Sequence, residues 1–393
     1  MPDGRDAYTA RTFSRIADIS AAAWDACAGG ANPFVSHAFL SALEESGSAT
    51  PETGWAPRHV AIEDAGGAVV AAAPMYVKSH SFGEYVFDHG WADAYERAGG
   101  RYYPKFQIAV PFTPVPGPRL LVRHEYADNG AAGEAALAAA IEELVRRYGV
   151  SGAHVTFAPE DQVERLARRG WLVRLGYQFH FENPGYGSFE DFLAALSSRK
   201  RKAVRKERAA ALADGLTVRA LRGPEIEERH WDTFFDFYIS TGDRKWGSPY
   251  LTRAFFSALG AAMAERVVLF LAERGGRPVA GALNLVGPDA LYGRYWGALE
   301  DHRFLHFELC YYRAIEFAIA HKIARVEAGA QGPHKISRGY LPRPTFSAHF
   351  LLDAALSRAV ADFLARERRQ VAFEMRALSE SSPFRAGRPA DEG

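Results

Sequence analysis

Between residues 279 and 350 the chain sets Glu308, Glu327, Lys335 and Arg338 among the side chains of Tyr292, Arg294, Tyr295 and Trp296. A carboxylate that periodicity half-buries can have a raised pKa and act as a base near neutrality. Over residues 323–328 the apolar Ala324, Val326 and Ala328 point one way, which turns Arg325 and Glu327 to the other face, expected to be a cleft. Glu308 precedes Tyr312, Ile315 and Ile319 by one, two and three helical turns and shares their stripe near a helix start. A second interpretation stays open: Glu308 complements its helix dipole, and Glu327 pairs with Lys335 or Arg338. Lys335 and Arg338 follow Gly329, Gln331 and Gly332 on a loop leaving the carboxyl end of a strand. Two cations and glycine amides at such a place suit a phosphate or a carboxylate. Arg294 alternates with Tyr292 and Trp296, where it can stack as well as pair, or serve as a core ion pair.

Other groups carry weaker chemistry. Asp243, Arg244, Lys245 and Trp246 fall in a glycine-bounded loop that could form an acceptor pocket or dock one half of the chain on the other. Cys310 sits inside an apolar helix and reads as a small core residue. His302 and His306 lie one turn apart with no third ligand implied, so no metal is expected. Lys+Arg and Asp+Glu number 47 each in 393 residues, so no overall field draws in nucleic acid or an anionic membrane. The amino terminus is polar and no apolar run reaches membrane-spanning length, which reads as cytoplasmic.

These residues need a scaffold, and the letters suggest one used twice. Residues 62–77 read IEDAGGAVVAAAPMYV and residues 271–286 read LAERGGRPVAGALNLV, with paired glycines and alanine runs in register. AIEELVRRYG from Ala140 likewise matches AIEFAIAHKI from Ala314. The expectation is an α/β chain of two tandem mixed-sheet units, 1–182 and 183–380, with 381–393 a disordered tail. Strands are expected over 58–64, 68–77, 84–88, 152–158, 171–182 and 216–221, and an irregular cleft-lining stretch over 89–118. One long helix is expected from Ser188 to Gly215, carrying a cationic band from Arg199 to Arg208, then a helix over 227–238 and a last one over 354–369.

The stretches FYISTGDRKWGSPYLT, GRYWGALEDHRFLHFELCYYRAIEFAI and RVEAGAQGPHKISRGYLPRPTFSAHF resemble the FemAB-like group of the GNAT acyltransferase superfamily, in particular bacterial proteins described as GNAT family N-acetyltransferases or peptidoglycan biosynthesis/recognition proteins. The resemblance covers nearly the whole chain. It implies two GNAT-like (FemAB-like) domains, the main site in the second, and transfer of an acetyl or aminoacyl group to an amine on a small molecule or peptide. Glu327 and Glu308 would be the catalytic carboxylates. Arg294, Tyr295, Trp296, Gln331, Lys335, Arg338, Asp243, Arg244, Lys245 and Trp246 would bind substrate or donor. GALEDHRFLHFE lacks the Q/R-x-x-G-x-G/A loop of acetyl-CoA enzymes. The implied donor, a co-substrate and not a tightly bound cofactor, is therefore acyl-CoA or aminoacyl-tRNA, the latter a possible partner of the Arg199–Arg208 helix. A non-catalytic module recognising a peptide or cell-wall precursor is the alternative.

Overall fold

Glycine hairpins begin the sheet of each half. At residues 64–68 the Asp64 carboxylate accepts the amides of Gly66 and Ala68, and Gly67 takes a φ of 80° that a side chain would strain. The second hairpin turns at Gly275 and Gly276, both with positive φ. These positions are seen in a computed structural model that describes residues 8–126, 131–213, 215–244, 249–329 and 332–385. The chain forms two compact units, one of residues 1–176, 250–262 and 344–371, the other of 177–249, 263–343 and 372–393. These interleave along the sequence, whereas the expected halves are contiguous.

In the first unit Thr9–Phe13, His59–Glu63, Val69–Ala73 and Leu121–Val122 form an antiparallel four-stranded sheet in that order. Pro74 has no N–H to continue the ladder. The expected strand 68–77 therefore divides there, and Met75–Lys78 joins a second set of strands with Trp55–Pro57 and Lys105–Ile108. Lys105–Ile108 runs parallel to Gly152–Ala158, and the helix Ala131–Tyr148 makes the crossover. Leu137, Ile141 and Val145 of that helix bury against Phe106, Ile108 and Val155. The expected strand 84–88 is a loop, and the irregular stretch after it holds the helix His89–Arg97 and the strand Lys105–Ile108.

In the second unit Leu216–Arg222, Val267–Arg274, Arg277–Val286 and Ala290–Ala298 pair antiparallel in sequence order. A helical passage from Leu305 to Ala320 then returns the chain to Arg325–Glu327, parallel to the central strand Ala290–Ala298. Arg325–Glu327 pairs on its other edge with residues 180–182. Ala314, Ile315 and Ala318 pack on Leu291 and Val326, so the helical passage covers the face of the sheet that bears those residues.

The expected long helix from Ser188 is two, Phe189–Ala195 and Ser198–Ala211. Leu196 turns out of the first to bridge with Phe384, and the amide of Ser197 bonds the Pro383 carbonyl. Residues 381–385, expected within a loose tail, are thus fastened, and the helix before them extends to Glu380. The helix expected over 227–238 runs Glu228–Arg244, and Arg253–Met263 is a helix that periodicity did not single out.

Candidate functional site

The central strand controls the site. Its ladder with Arg277–Val286 shifts between Leu283 and Asn284: Tyr295 opposes Leu283 while Gly293 opposes Asn284, which leaves Arg294 as an extra, bulged residue. Tyr292 and Tyr295 consequently share one face and Trp296 takes the other. This corrects the expected alternation of Tyr292, Arg294 and Trp296, because one inserted residue reverses the side-chain phase. Tyr295 meets Tyr238 edge-on at 5.4 Å, the Arg294 guanidinium lies 5.1 Å from the Tyr295 ring, and Trp296 meets His306 at 5.2 Å. Gly297 permits the helix Glu228–Arg244 to come close: a Cβ there would fall 2.0 Å from the Phe237 carbonyl oxygen.

The parallel ladder with Arg325–Glu327 ends at Tyr292 opposite Glu327. Beyond it the amide of Ala328 turns to the Phe179 carbonyl on the other neighbour, and among the described residues no further pair joins Gly293–Ala298 to that chain. The two parallel strands thus part beyond Tyr292 and Glu327.

Glu327 stands where they part. It is 3% exposed, and Arg325 Nε donates to its Oε1 at 2.9 Å. Among the described residues its Oε2 has no hydrogen-bond partner and lies 3.9 Å from Nε2 of His180, the residue opposite it in register, whose Nε2 is likewise unpartnered there. That distance is too long for a hydrogen bond. Burial pushes the Glu327 carboxyl up to about 7 against the opposing pull of Arg325. Burial, aided by Arg325, Arg343 and Lys335, drives His180 down to about 3, so the imidazole is neutral and the contact is not an ion pair. Burial and then the Glu327 charge raise the Tyr292 phenol well above its ordinary value. Arg325 also pairs with Asp289. Lys335 is buried and donates to the carbonyls of Ala328 at 2.8 Å and Gly329 at 3.1 Å; burial brings its ammonium down to about 8.

Glu308 does not join this group. It opens a π-helical turn, Glu308–Tyr312, on the helical passage, which packs on the face opposite Glu327. The helix Ser198–Ala211 supplies Arg208, whose guanidinium donates to both Glu308 oxygens at 2.9 and 3.0 Å, and Arg313 Nε lies 2.8 Å away. Both oxygens of this fully buried carboxylate are thus taken up by guanidiniums, which fits a structural role. Neither part of the second interpretation fits, since Glu308 is bound by side chains and Glu327 pairs with Arg325.

Arg338 is also committed. It donates to Glu207 at 2.8 and 3.1 Å and to the His334 carbonyl at 2.7 Å, and covers the Phe307 ring at 3.5 Å. Glu207 accepts from Tyr312 as well. Arg338 thus secures the 3₁₀ helix Pro333–Arg338 and does not reach Glu327. The basic band is partly spent in the same manner, with Arg208 on Glu308, Arg205 on Glu190 and Lys200 on Ser337. Gln331, Lys245 and Trp246 lie outside the described residues, as do the side chains of Asp243 and Arg244, whose backbone closes a helix in place of the expected loop.

His180 and Tyr292 are the members that sequence reasoning missed as site residues. Tyr292 was visible as an aromatic on the central strand. His180 comes from a strand some 150 residues earlier and carried no local signal.

A family model for FemAB-like proteins, described as peptidoglycan biosynthesis/recognition, matches residues 15–386. No curated protein matches the chain. Among solved structures, FemX superposes with a TM-score of 0.56 at 13% identity, over 89% of this chain and 100% of its own. The C-terminal domain of a putative lysylphosphatidylglycerol synthetase from Agrobacterium fabrum gives 0.53 at 10% identity, over 88% and 94%. A conserved protein of unknown function from Bacteroides thetaiotaomicron gives 0.51 at 11%, over 86% and 98%. The chain has the expected mixed α/β class and shares its fold with these structures.

Proposed function

The chain belongs to the FemAB-like family, and from that premise we propose that it is an acyltransferase, moving an acyl or aminoacyl group from an activated ester or thioester to an amine, with Glu327 as general base. The supporting observation is a carboxyl held near neutrality by burial at the point where the central strand and Arg325–Glu327 part. The amine nitrogen attacks the carbonyl carbon, and its proton passes to the Glu327 carboxylate. Collapse of the tetrahedral adduct breaks the bond to sulfur or ester oxygen, and the leaving thiol or hydroxyl takes the proton back. Arg325 fixes the carboxylate through Oε1 and leaves Oε2 for the proton. Lys335, on the carbonyls that follow Glu327, places a cation beside the same strand end, suited to an anionic part of the donor. Peptidoglycan precursors bearing an amine are the acceptor class that the family description points to.

Mass spectrometry of the protein incubated with acyl-CoA or charged tRNA and a panel of amines tests the reading. One donor is expected to lose its acyl group to an amine, and Glu327→Gln to slow that transfer about 10²- to 10⁴-fold with the fold intact. Transfer at the wild-type rate in the variant refutes the assignment of the base.

A further inference from the structure

Residues 79–90 of the first unit, SHSFGEYVFDHG, sort their side chains by charge. The two acids, Glu84 and Asp88, turn inward and are buried on Lys105, whose ammonium donates to Ser81 at 2.8 Å, to Glu84 at 2.7 Å and to Asp88. Tyr102 adds a hydrogen bond to Asp88 at 2.8 Å. Two large rings turn outward: Phe82 is 59% exposed and Phe87 57%. With His80 and His89 they make a continuous surface row, His80 to Phe82 at 5.1 Å, Phe82 to His89 at 5.7 Å and His89 to Phe87 at 6.4 Å. Arg174 bonds the Phe87 carbonyl at 2.6 Å and Lys78 the Phe82 carbonyl at 3.2 Å, so the backbone of both exposed rings is held.

We propose that this loop docks the first unit on a lipid bilayer, with Phe82 and Phe87 entering the interfacial region. The reasoning is one of charge and direction. A loop with two acids would ordinarily be repelled by anionic headgroups and would resist entering any apolar boundary. Here the fold spends a fully buried lysine to take both acids off the surface, an arrangement costly to build. What faces outward on the loop carries no carboxylate, and its most exposed large groups are the two apolar rings. Apolar rings on a pre-ordered loop gain free energy from a partner that asks for area and not geometry, which is a bilayer interface. This mode of attachment needs no spanning helix, and none among the described residues is long and apolar enough to cross a membrane.

Co-sedimentation of the full chain with phosphatidylcholine vesicles tests the proposal against two variants. Phe82→Ser/Phe87→Ser removes the rings at exposed positions, so the fold is preserved, which circular dichroism verifies. Tyr148→Ser removes a comparably exposed ring from the helix Ala131–Tyr148, away from the loop in sequence. The wild-type chain is expected to bind, with the partition changing less than about twofold on raising salt, because the two rings that enter the interface carry no charge. The double variant should lose at least about tenfold, from the area of two half-exposed rings, and Tyr148→Ser should bind as wild type. Absence of wild-type binding, undiminished binding by the double variant, or an equal loss in Tyr148→Ser overturns the proposal. A change of oligomeric state in the double variant also overturns it, since the row would then be a contact between copies of the chain.

Discussion

Glu327→Gln should make the protein more stable above neutral pH, and by an amount that the structure fixes. In the unfolded chain this carboxyl titrates near 4.5, whereas burial holds it at about 7 in the fold. Below pH 4.5 both states are protonated and the group costs nothing. As pH rises from there to about 7 the unfolded chain releases its proton while the fold retains it, so stability is lost across that window and levels off above it. At about 1.4 kcal/mol per pH unit, the separation amounts to about 3 kcal/mol at pH 8.5. Glutamine keeps the shape and an acceptor for Arg325 but cannot ionise. Urea denaturation of both proteins at pH 5 and pH 8.5 reads the effect directly. The two should be nearly equally stable at pH 5, and the variant should lead by about 3 kcal/mol at pH 8.5. A variant that is less stable at pH 8.5, or a difference that does not change with pH, would refute the claim that desolvation governs this carboxyl.

Arg208→Ala removes the bonds to both Glu308 oxygens and leaves Arg313 as its charge partner, which should cost about 1.5–3 kcal/mol by urea denaturation, whereas Arg208→Met/Glu308→Gln should cost less because the buried carboxylate is removed with its partner. Arg338→Ala should lower stability by about 1.5–3 kcal/mol through loss of its charged bonds to Glu207, with the donor KM nearly unchanged, the reverse of a donor-binding role. Gly297→Ala should cost about 1–3 kcal/mol, since its Cβ would meet backbone of Phe237 and not a movable side chain.

Local rules carried much of the architecture. Paired glycines fixed both hairpins, period-two alternation turned Arg325 and Glu327 to the same face, and Arg325 proved to be the partner of Glu327. What escaped was decided by residues distant in sequence. Alanine-rich composition made the stretch from Ser188 to Gly215 read as one helix, and Pro383 and Phe384, nearly 200 residues later, show why it breaks at Leu196. Glu308 looked like a second catalytic carboxylate because Arg208, which binds both its oxygens, lies 100 residues away. Arg338 looked available for the same reason, its partner Glu207 being 131 residues earlier. The bulge at Arg294 is invisible in the letters, because a ladder shift depends on the partner strand. Lys105, Glu84 and Asp88 gave no signal either, since inward-facing acids on a loop read as ordinary surface charge.

The dependence of kcat/KM on pH, compared between wild type and Glu327→Gln with the same donor and amine, tests the base assignment most directly. For wild type the account predicts activity rising with pH and inflecting near 7, where the buried carboxyl gives up its proton. For the variant it predicts a rate lower by about 10²- to 10⁴-fold and no inflection there. Near-normal activity in Glu327→Gln, or the same inflection in both proteins, would contradict it.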